Sequence, residues 1–290
     1  MSTGSANETR GPMASKAFKI ALVQMLVGKD KAANVAKAVS RVAEASKGGA
    51  KLVVLPECFN SPYGTQHFDD YSEPVPGDST WALSQAARDN QVWLIGGSIP
   101  EKGADGKIYN TCVAFGPTGD TVAKHRKVHL FDIDVPGKIK FTESDVLSPG
   151  DKLTTFTTDF CKIGLGICYD VRFCEMARVY ALQGCNLLVY PGCFNMTTGP
   201  AHWELMARAN ALEQQCFTAL CSQARDTQSG GYVAWGHSMV VEPWGTVIAD
   251  AGEEEMILYA DIDLNKQKEM RNMVPVMKQR RSDLYDTIAK

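Results

Sequence analysis

The sequence predicts an α/β fold, a four-layer α-β-β-α sandwich made by a single domain. Two observations point to it. Apolar runs of strand length alternate with longer stretches of helical periodicity in the order β-α-β-α-β, the mark of a layered α/β domain. The pattern then occurs a second time, and each half ends on a hairpin. Helices cover one face of each sheet, and packing the two sheets together hides the other faces.

The elements follow in order. Residues 1–16 are polar and aperiodic and contain a Gly-Pro step, so a disordered leader is expected there, with Met13 a candidate start, and the domain is expected over 17–290. Residues 19–25 form the first strand. Over 31–47, Val35, Val39 and Val42 share a helical face. Residues 51–55, centred on Val53 and Val54, read as a buried strand. Residues 78–90 are a helix with Asp78 or Ser79 offering the N-cap, and 92–98 are a third strand. Strands 109–115 and 121–124 flank Gly116-Pro117-Thr118-Gly119-Asp120, a turn signal. The polar stretch 125–152, with Pro136-Gly137 and Pro149-Gly150, is too long for a simple connection, and ordered loops of that length are often functional.

The second half opens with a strand at 162–168 and a helix at 172–183, with Phe173, Met176, Ala177, Tyr180 and Ala181 on one face. A strand at 186–190, a helix at 201–214 and a strand at 217–221 come next. Strands 237–241 and 246–249 flank Glu242-Pro243-Trp244-Gly245, and 256–262 are the last strand. The charged tail 266–290, interrupted by Pro275, is weakly amphipathic and suited to packing on its own subunit or on a partner.

Composition narrows the function. With 30 Lys and Arg against 33 Asp and Glu the net charge is −3, which carries no basic footprint for nucleic acid or an anionic membrane surface. No apolar run approaches the roughly 18–20 residues that span a bilayer. The nine cysteines include no CxxC pair and no zinc-like Cys/His spacing, so they read as mostly buried free thiols in a reducing compartment. A cytoplasmic location is expected, with a mitochondrial destination as the alternative.

Ligands of open α/β sheets gather at the carboxyl ends of strands, and three reactive residues fall there. Glu57 follows the strand at 51–55, Cys168 stands at a strand-to-helix junction, and Lys127 opens the long loop. A thiol at a helix N-terminus is expected to be biased toward thiolate, with the Tyr169 N–H directed at an oxyanion beside the sulfur. Gly164 and Gly166 are expected to admit substrate or backbone. Glu57 suits a general base with a pKa raised by desolvation, against the alternative of a surface ion pair. Lys127 suits an oxyanion donor, against membership of a solvated basic face with Lys124 and Arg126. A Cys-His pair drawn from the five histidines is a further option, although no papain-like signature surrounds the cysteine. Gly-x-Ser-x-Gly and Walker motifs are missing.

Three segments carry a resemblance. Leu55-Pro56-Glu57, His125-Arg126-Lys127-Val128-His129-Leu130 and Gly166-Ile167-Cys168-Tyr169-Asp170 resemble, in order and separation, the catalytic motifs of the nitrilase superfamily, the carbon–nitrogen hydrolases. Phe194-Asn195-Met196-Thr197-Thr198-Gly199-Pro200-Ala201-His202-Trp203-Glu204, Tyr232-Val233-Ala234-Trp235-Gly236-His237-Ser238 and Arg281-Ser282-Asp283-Leu284-Tyr285 look like its omega-amidase branch. The resemblance implies the four-layer sandwich, a Glu57–Lys127–Cys168 triad with Glu143 as second glutamate, no metal or organic cofactor, and a homodimer. It further implies hydrolysis of the terminal amide of α-ketoglutaramate or α-ketosuccinamate to 2-oxoglutarate or oxaloacetate plus ammonia. Glu143 would orient Lys127 or place the hydrolytic water. Arg172 would clamp the distal carboxylate, its alternative being an ion pair with Glu175 or Glu204. Thr198 would add a hydroxyl, Phe194 an apolar wall and Tyr63 a second polar contact. The competing readings are another branch of the superfamily, acting on deaminated glutathione or carbamoyl amino acids, a catalytically dead scaffold, and a thiol redox sensor.

Overall fold

The computed structural model describes residues 17–290, and the leader expected at 1–16 lies outside the described residues. The chain runs through β1 (Ala17–Gln24), α1 (Lys31–Lys47), β2 (Leu52–Val54), α2 (Thr65–Tyr71), α3 (Asp78–Asn90), β3 (Trp93–Ile95), β4 (Ile99–Lys102), β5 (Ile108–Phe115) and β6 (Thr121–Arg126). The hairpin β7 (Asp132–Val135) and β8 (Ile139–Thr142) follows, then β9 (Thr154–Thr157), β10 (Lys162–Leu165), α4 (Cys174–Leu182), β11 (Leu187–Gly192), α5 (Gly199–Gln214) and β12 (Phe217–Ser222). The last elements are β13 (Met239–Val241), β14 (Val247–Asp250), β15 (Met256–Asp263), α6 (Leu264–Met273) and α7 (Val276–Gln279).

These strands make a seven-stranded sheet, ordered β15-β1-β2-β3-β5-β4 with β6 paired to β5, and a six-stranded sheet, ordered β14-β13-β12-β11-β10-β9. Each has a parallel centre, β1-β2-β3 in one and β10-β11-β12 in the other. Period-two alternation sorts the side chains. Ile20, Leu22, Leu52, Val54, Cys112 and Ala114 join one core with Ile163, Leu165, Leu187, Val189, Phe217 and Ala219 of the second sheet. Ala21, Val23, Val53, Leu55 and Val113 face the other way, onto Ala38, Val42 and Ala45 of α1 and Leu83, Ala86 and Ala87 of α3. Tyr180 of α4 and Trp203, Ala207 and Ala211 of α5 cover the second sheet. The layers are those the sequence predicts.

Several expectations need correction. The final strand does not stay in the second half: β15 crosses over and pairs antiparallel with β1 along its whole length, from Ala17↔Asp263 to Gln24↔Met256. The buried stripe of α1 is Asn34, Ala38, Val42 and Ala45, with Val35 and Val39 at its margins. Helix α3 is capped not by Asp78 or Ser79 but by Gly77, and the Glu73 carboxylate accepts from the Ser79 N–H at 2.9 Å. The loop 125–152 contains the β7–β8 hairpin and a 3-10 turn, Glu143–Asp145. The strand expected at 162–168 ends at Leu165, and the helix expected from 172 starts at Cys174. Of the two placements expected for the tail, its first helix shows packing on its own chain: Gln267 of α6 accepts from Asn186 and donates to the Gln215 carbonyl.

Candidate active site

Two of the reactive side chains occupy equivalent places in the two halves. Glu57 lies three residues beyond β2 and Cys168 three beyond β10, each at the carboxyl end of a parallel strand. The chain turns sharply at both: Cys58 has φ 50° and Cys168 φ 47°, left-handed values that non-glycine residues seldom adopt. Gly97, at φ +62°, permits the first turn, because a Cβ there would collide with the Pro56 carbonyl. Lys127 immediately follows β6, the strand paired to β5. Along β6, Lys124 and Arg126 point to one side and are paired with Glu101, while His125 and the following Lys127 point to the other and are fully buried. Strand alternation thus splits what reads in sequence as one basic cluster.

Glu57, Lys127 and Glu143 meet in the interior, all wholly buried. Lys127 Nζ lies 3.0 Å from Glu57 Oε1 and 2.9 Å from Glu143. Asn110 Nδ2 donates to the same Glu57 oxygen at 2.8 Å, and the Asn110 carbonyl accepts from the Lys127 N–H, also at 2.8 Å. Glu143 is held by the Tyr63 hydroxyl at 2.8 Å and the Phe131 N–H at 2.7 Å. Glu57 Oε2 has no hydrogen-bond partner among the described residues, and the Cys168 thiol beside the carboxyl is among the groups that act on its pKa.

The protonation states follow from this crowding. Burial raises the Glu57 pKa above its ordinary 4.5, Lys127 opposes this, and Glu143 adds to it. Burial alone would lower Lys127, but Glu143 and then Glu57 outweigh it and hold the ammonium well above 10.5. The Cys168 thiol is pushed well above 9.0, first by burial and then by Glu57. The expected bias toward thiolate is therefore absent at rest. The physical reason is twofold: Cys168 begins a five-residue 3-10 turn and not the α-helix, which starts only at Cys174, and two carboxylates already surround one ammonium, so a thiolate would add a second net negative charge. Burial and the Glu57 charge thus favour the thiol over the thiolate, with the Glu57 carboxyl beside it.

Asp170, which has no assigned role in the sequence reading, ties this turn to the lysine segment. Its carboxylate, fully buried, accepts from the Ile167 N–H, His125 Nε2, the His129 N–H and His129 Nδ1 at 2.8–3.1 Å. Burial works against its charge, but the bonds from His125 and His129 keep its pKa well below 3.8. None of the histidine hydrogen bonds among the described residues reaches Cys168, so a Cys-His pair is not formed. Gly164 and Gly166 make room not for substrate but for the rings of Tyr180 and Tyr190, which a Cβ would strike.

Half-buried Arg172 closes the 3-10 turn, its Cζ 4.8 Å from the Phe194 ring centre and 5.5 Å from that of Tyr169. Neither Glu175 nor Glu204 pairs with it; Glu204 instead reaches Arg208 at 3.3 Å. Thr198 is buried, its N–H and hydroxyl both donating to Asn195 Oδ1. The Tyr63 hydroxyl likewise donates within the protein, to Glu143. Asn110 and Asp170 carry no signal of their own in sequence beyond a polar residue interrupting a strand and the motif residue after Tyr169. Among the described residues, no group of three or more His, Cys, Asp or Glu side chains is arranged to hold a metal ion.

The carbon-nitrogen hydrolase family model matches residues 19–272. The chain belongs to that family. This carbon–nitrogen hydrolase is 59% identical over 273 residues to the Mus musculus omega-amidase NIT2, an alignment covering 94% of this chain and 98% of the mouse protein. It is 58% identical over 268 residues to the Homo sapiens omega-amidase NIT2, covering 92% and 96%. Among solved structures, it superposes on Saccharomyces cerevisiae Nit3, a member of branch 10 of the nitrilase superfamily, with TM-score 0.84 and 45% identity over 91% of this chain and 97% of the other.

Proposed function

We propose that this carbon–nitrogen hydrolase is an omega-amidase, cleaving the terminal amide of α-ketoglutaramate and α-ketosuccinamate to 2-oxoglutarate or oxaloacetate and ammonia. The relatives' names support the reaction, and one observation carries the substrate class: Arg172, beside the nucleophile's turn, is a guanidinium with no carboxylate partner among the described residues. A carboxylate three or four carbon–carbon bonds from the amide carbon, as in these two substrates, would satisfy it through a bidentate contact.

In the proposed mechanism the free Glu57 Oε2 takes the Cys168 proton as sulfur bonds to the amide carbon and the carbonyl π electrons pass to oxygen. Lys127 has three N–H donors, and two are taken by Glu57 and Glu143, which leaves one for the oxyanion. The Tyr169 N–H, too early in its turn to bond within it, is the second donor. Each such donor is worth about 3–4 kcal/mol in the transition state. Collapse breaks the C–N bond, and Glu57 returns the proton to the departing ammonia. Glu57 then deprotonates a water, hydroxide attacks the thioester, and C–S cleavage releases the acid while the proton goes back to sulfur. Phe194 walls the site, and Glu143 keeps Lys127 in place.

Ammonia release from α-ketoglutaramate tests the reading. Cys168→Ala is expected to abolish turnover with the fold intact, and the wild type to accumulate an acyl adduct on Cys168 by mass spectrometry. Turnover in Cys168→Ala, or an adduct on another cysteine, contradicts it. We also infer a homodimer: Leu205 and Leu212, seven residues apart on α5, are 66% and 48% exposed, and Leu284, Tyr285 and Ile288 of the tail stand out as well. A monomer in sedimentation at micromolar concentration would argue against this assembly.

A further inference from the structure

The segment around His202 is part of the resemblance, yet the reaction above gives the imidazole no task. It lies in the first turns of α5, where the His202 N–H bonds back to the Thr198 carbonyl at 2.9 Å. Its Nδ1 is 3.2 Å from Arg172 Nη1, and Met206 Sδ, one turn further along the same face, is 3.5 Å from that nitrogen. A guanidinium can only donate. The imidazole must therefore be neutral, accept at Nδ1 and carry its proton on Nε2. Burial and then the Arg172 charge both lower the His202 pKa, consistent with that state. Among the described residues, the groups in contact with the Arg172 side chain are uncharged: an imidazole, a thioether and the faces of Phe194 and Tyr169. Arg172 Nε is buried and has no hydrogen-bond partner among the described residues.

We propose that His202 is a specificity-positioning residue, a neutral acceptor that fixes the Arg172 guanidinium while leaving its positive charge uncompensated for the distal carboxylate of the substrate. A carboxylate in the same place would hold the guanidinium as firmly but cancel its charge, and an apolar side chain would leave it loose. The inference rests on the omega-amidase reading and on the Arg172 clamp.

The test compares α-ketoglutaramate with 4-oxopentanamide, in which a methyl group replaces the carboxylate. His202→Leu removes the acceptor at similar volume and is expected to raise KM for α-ketoglutaramate about five- to tenfold, with kcat/KM for 4-oxopentanamide changed less than about twofold. His202→Asn, whose Oδ1 sits where Nδ1 was, is expected to restore KM to within about twofold of wild type. Equal losses on both substrates in His202→Leu, or no recovery in His202→Asn, overturn the proposal. Arg172→Leu separates the two levels. If it discriminates between the substrates and the His202 variants do not, the clamp stands and only the positioning role fails. If Arg172→Leu affects both substrates equally, the clamp is wrong and the His202 role is overturned with it.

Discussion

Replacing Asp170 by Asn removes half of a junction that joins the Lys127 and Cys168 segments. In the protein, Oδ1 accepts from the His129 N–H and Nδ1, and Oδ2 from the Ile167 N–H and His125 Nε2. Asparagine keeps one acceptor and turns the other into an NH2 group. With the amide nitrogen on the Oδ2 side, His125 can adapt by moving its proton to Nδ1, where Thr154 Oγ1 lies at 3.1 Å. The Ile167 N–H cannot adapt and is stranded in the interior; the opposite rotamer strands the His129 N–H instead. One unsatisfied buried donor costs about 1–3 kcal/mol, and losing the charge-assisted character of the other bonds brings the expected destabilisation to about 2–4 kcal/mol. The Ile167 N–H is also the tether immediately ahead of Cys168, whose left-handed φ persists only where its surroundings impose it. With the turn relaxed, kcat is expected to fall about 10- to 100-fold. Urea unfolding at pH 7 gives the first quantity and ammonia release at saturating α-ketoglutaramate the second. A variant within about 0.5 kcal/mol of wild-type stability and within twofold of its kcat would refute the reasoning.

Other perturbations probe the same network. Lys127→Met leaves Glu57 and Glu143 facing each other uncompensated and is expected to cost about 3–5 kcal/mol along with all activity; adding Glu143→Gln should recover part of the stability by urea titration but none of the turnover. Because burial raises the Glu57 pKa above 4.5 and the base must be ionised, kcat/KM should fall on acidification at a pH above 4.5, and a limb at or below that value would contradict the assignment. Glu101 behaves oppositely: burial would raise its pKa, but hydrogen bonds from Arg126, Thr111 and Lys124 lower it from 4.5 to about 2. A depressed pKa stabilises the fold above the unfolded value, and this contribution drains away as pH drops from 4.5 toward 2. The shift sets a ceiling of about 3 kcal/mol, reduced to about 1–2 kcal/mol because Lys124 and Arg126 are partly open to solvent. Rather more than half of it is lost by pH 3, so the stability difference between pH 7 and pH 3 should shrink by about 1 kcal/mol in Glu101→Gln, as read from urea midpoints.

Much of this arrangement is legible in the chain because it is local. The alternation of Ile20, Ala21, Leu22 and Val23 sets a strand with two buried faces, and the two faces do find different partners. Elements too short or too polar to show a period, such as β4, β9 and the β7–β8 hairpin, escape sequence reading and depend on their pairing partners. The placement of β15 is invisible for a related reason: a strand's composition gives its faces, not which edge it joins. Asn110 and Asp170 read as ordinary polar residues, since their bonds span 53 residues to Glu57 and 45 to His125.

By itself the sequence determined the layered architecture, the carboxyl-end positions of Glu57 and Cys168, and the residue types from which the chemistry is built. Tertiary structure alone decided that Lys127 is buried between two carboxylates while Lys124 and Arg126 face Glu101, that burial and Glu57 push the Cys168 thiol pKa up, and that Arg172 meets uncharged neighbours among the described residues. The division is physical. Periodicity and turn chemistry act between residues a few positions apart, whereas desolvation and Coulomb interaction depend on distance in space, and those distances exist only once the two sheets have closed on each other.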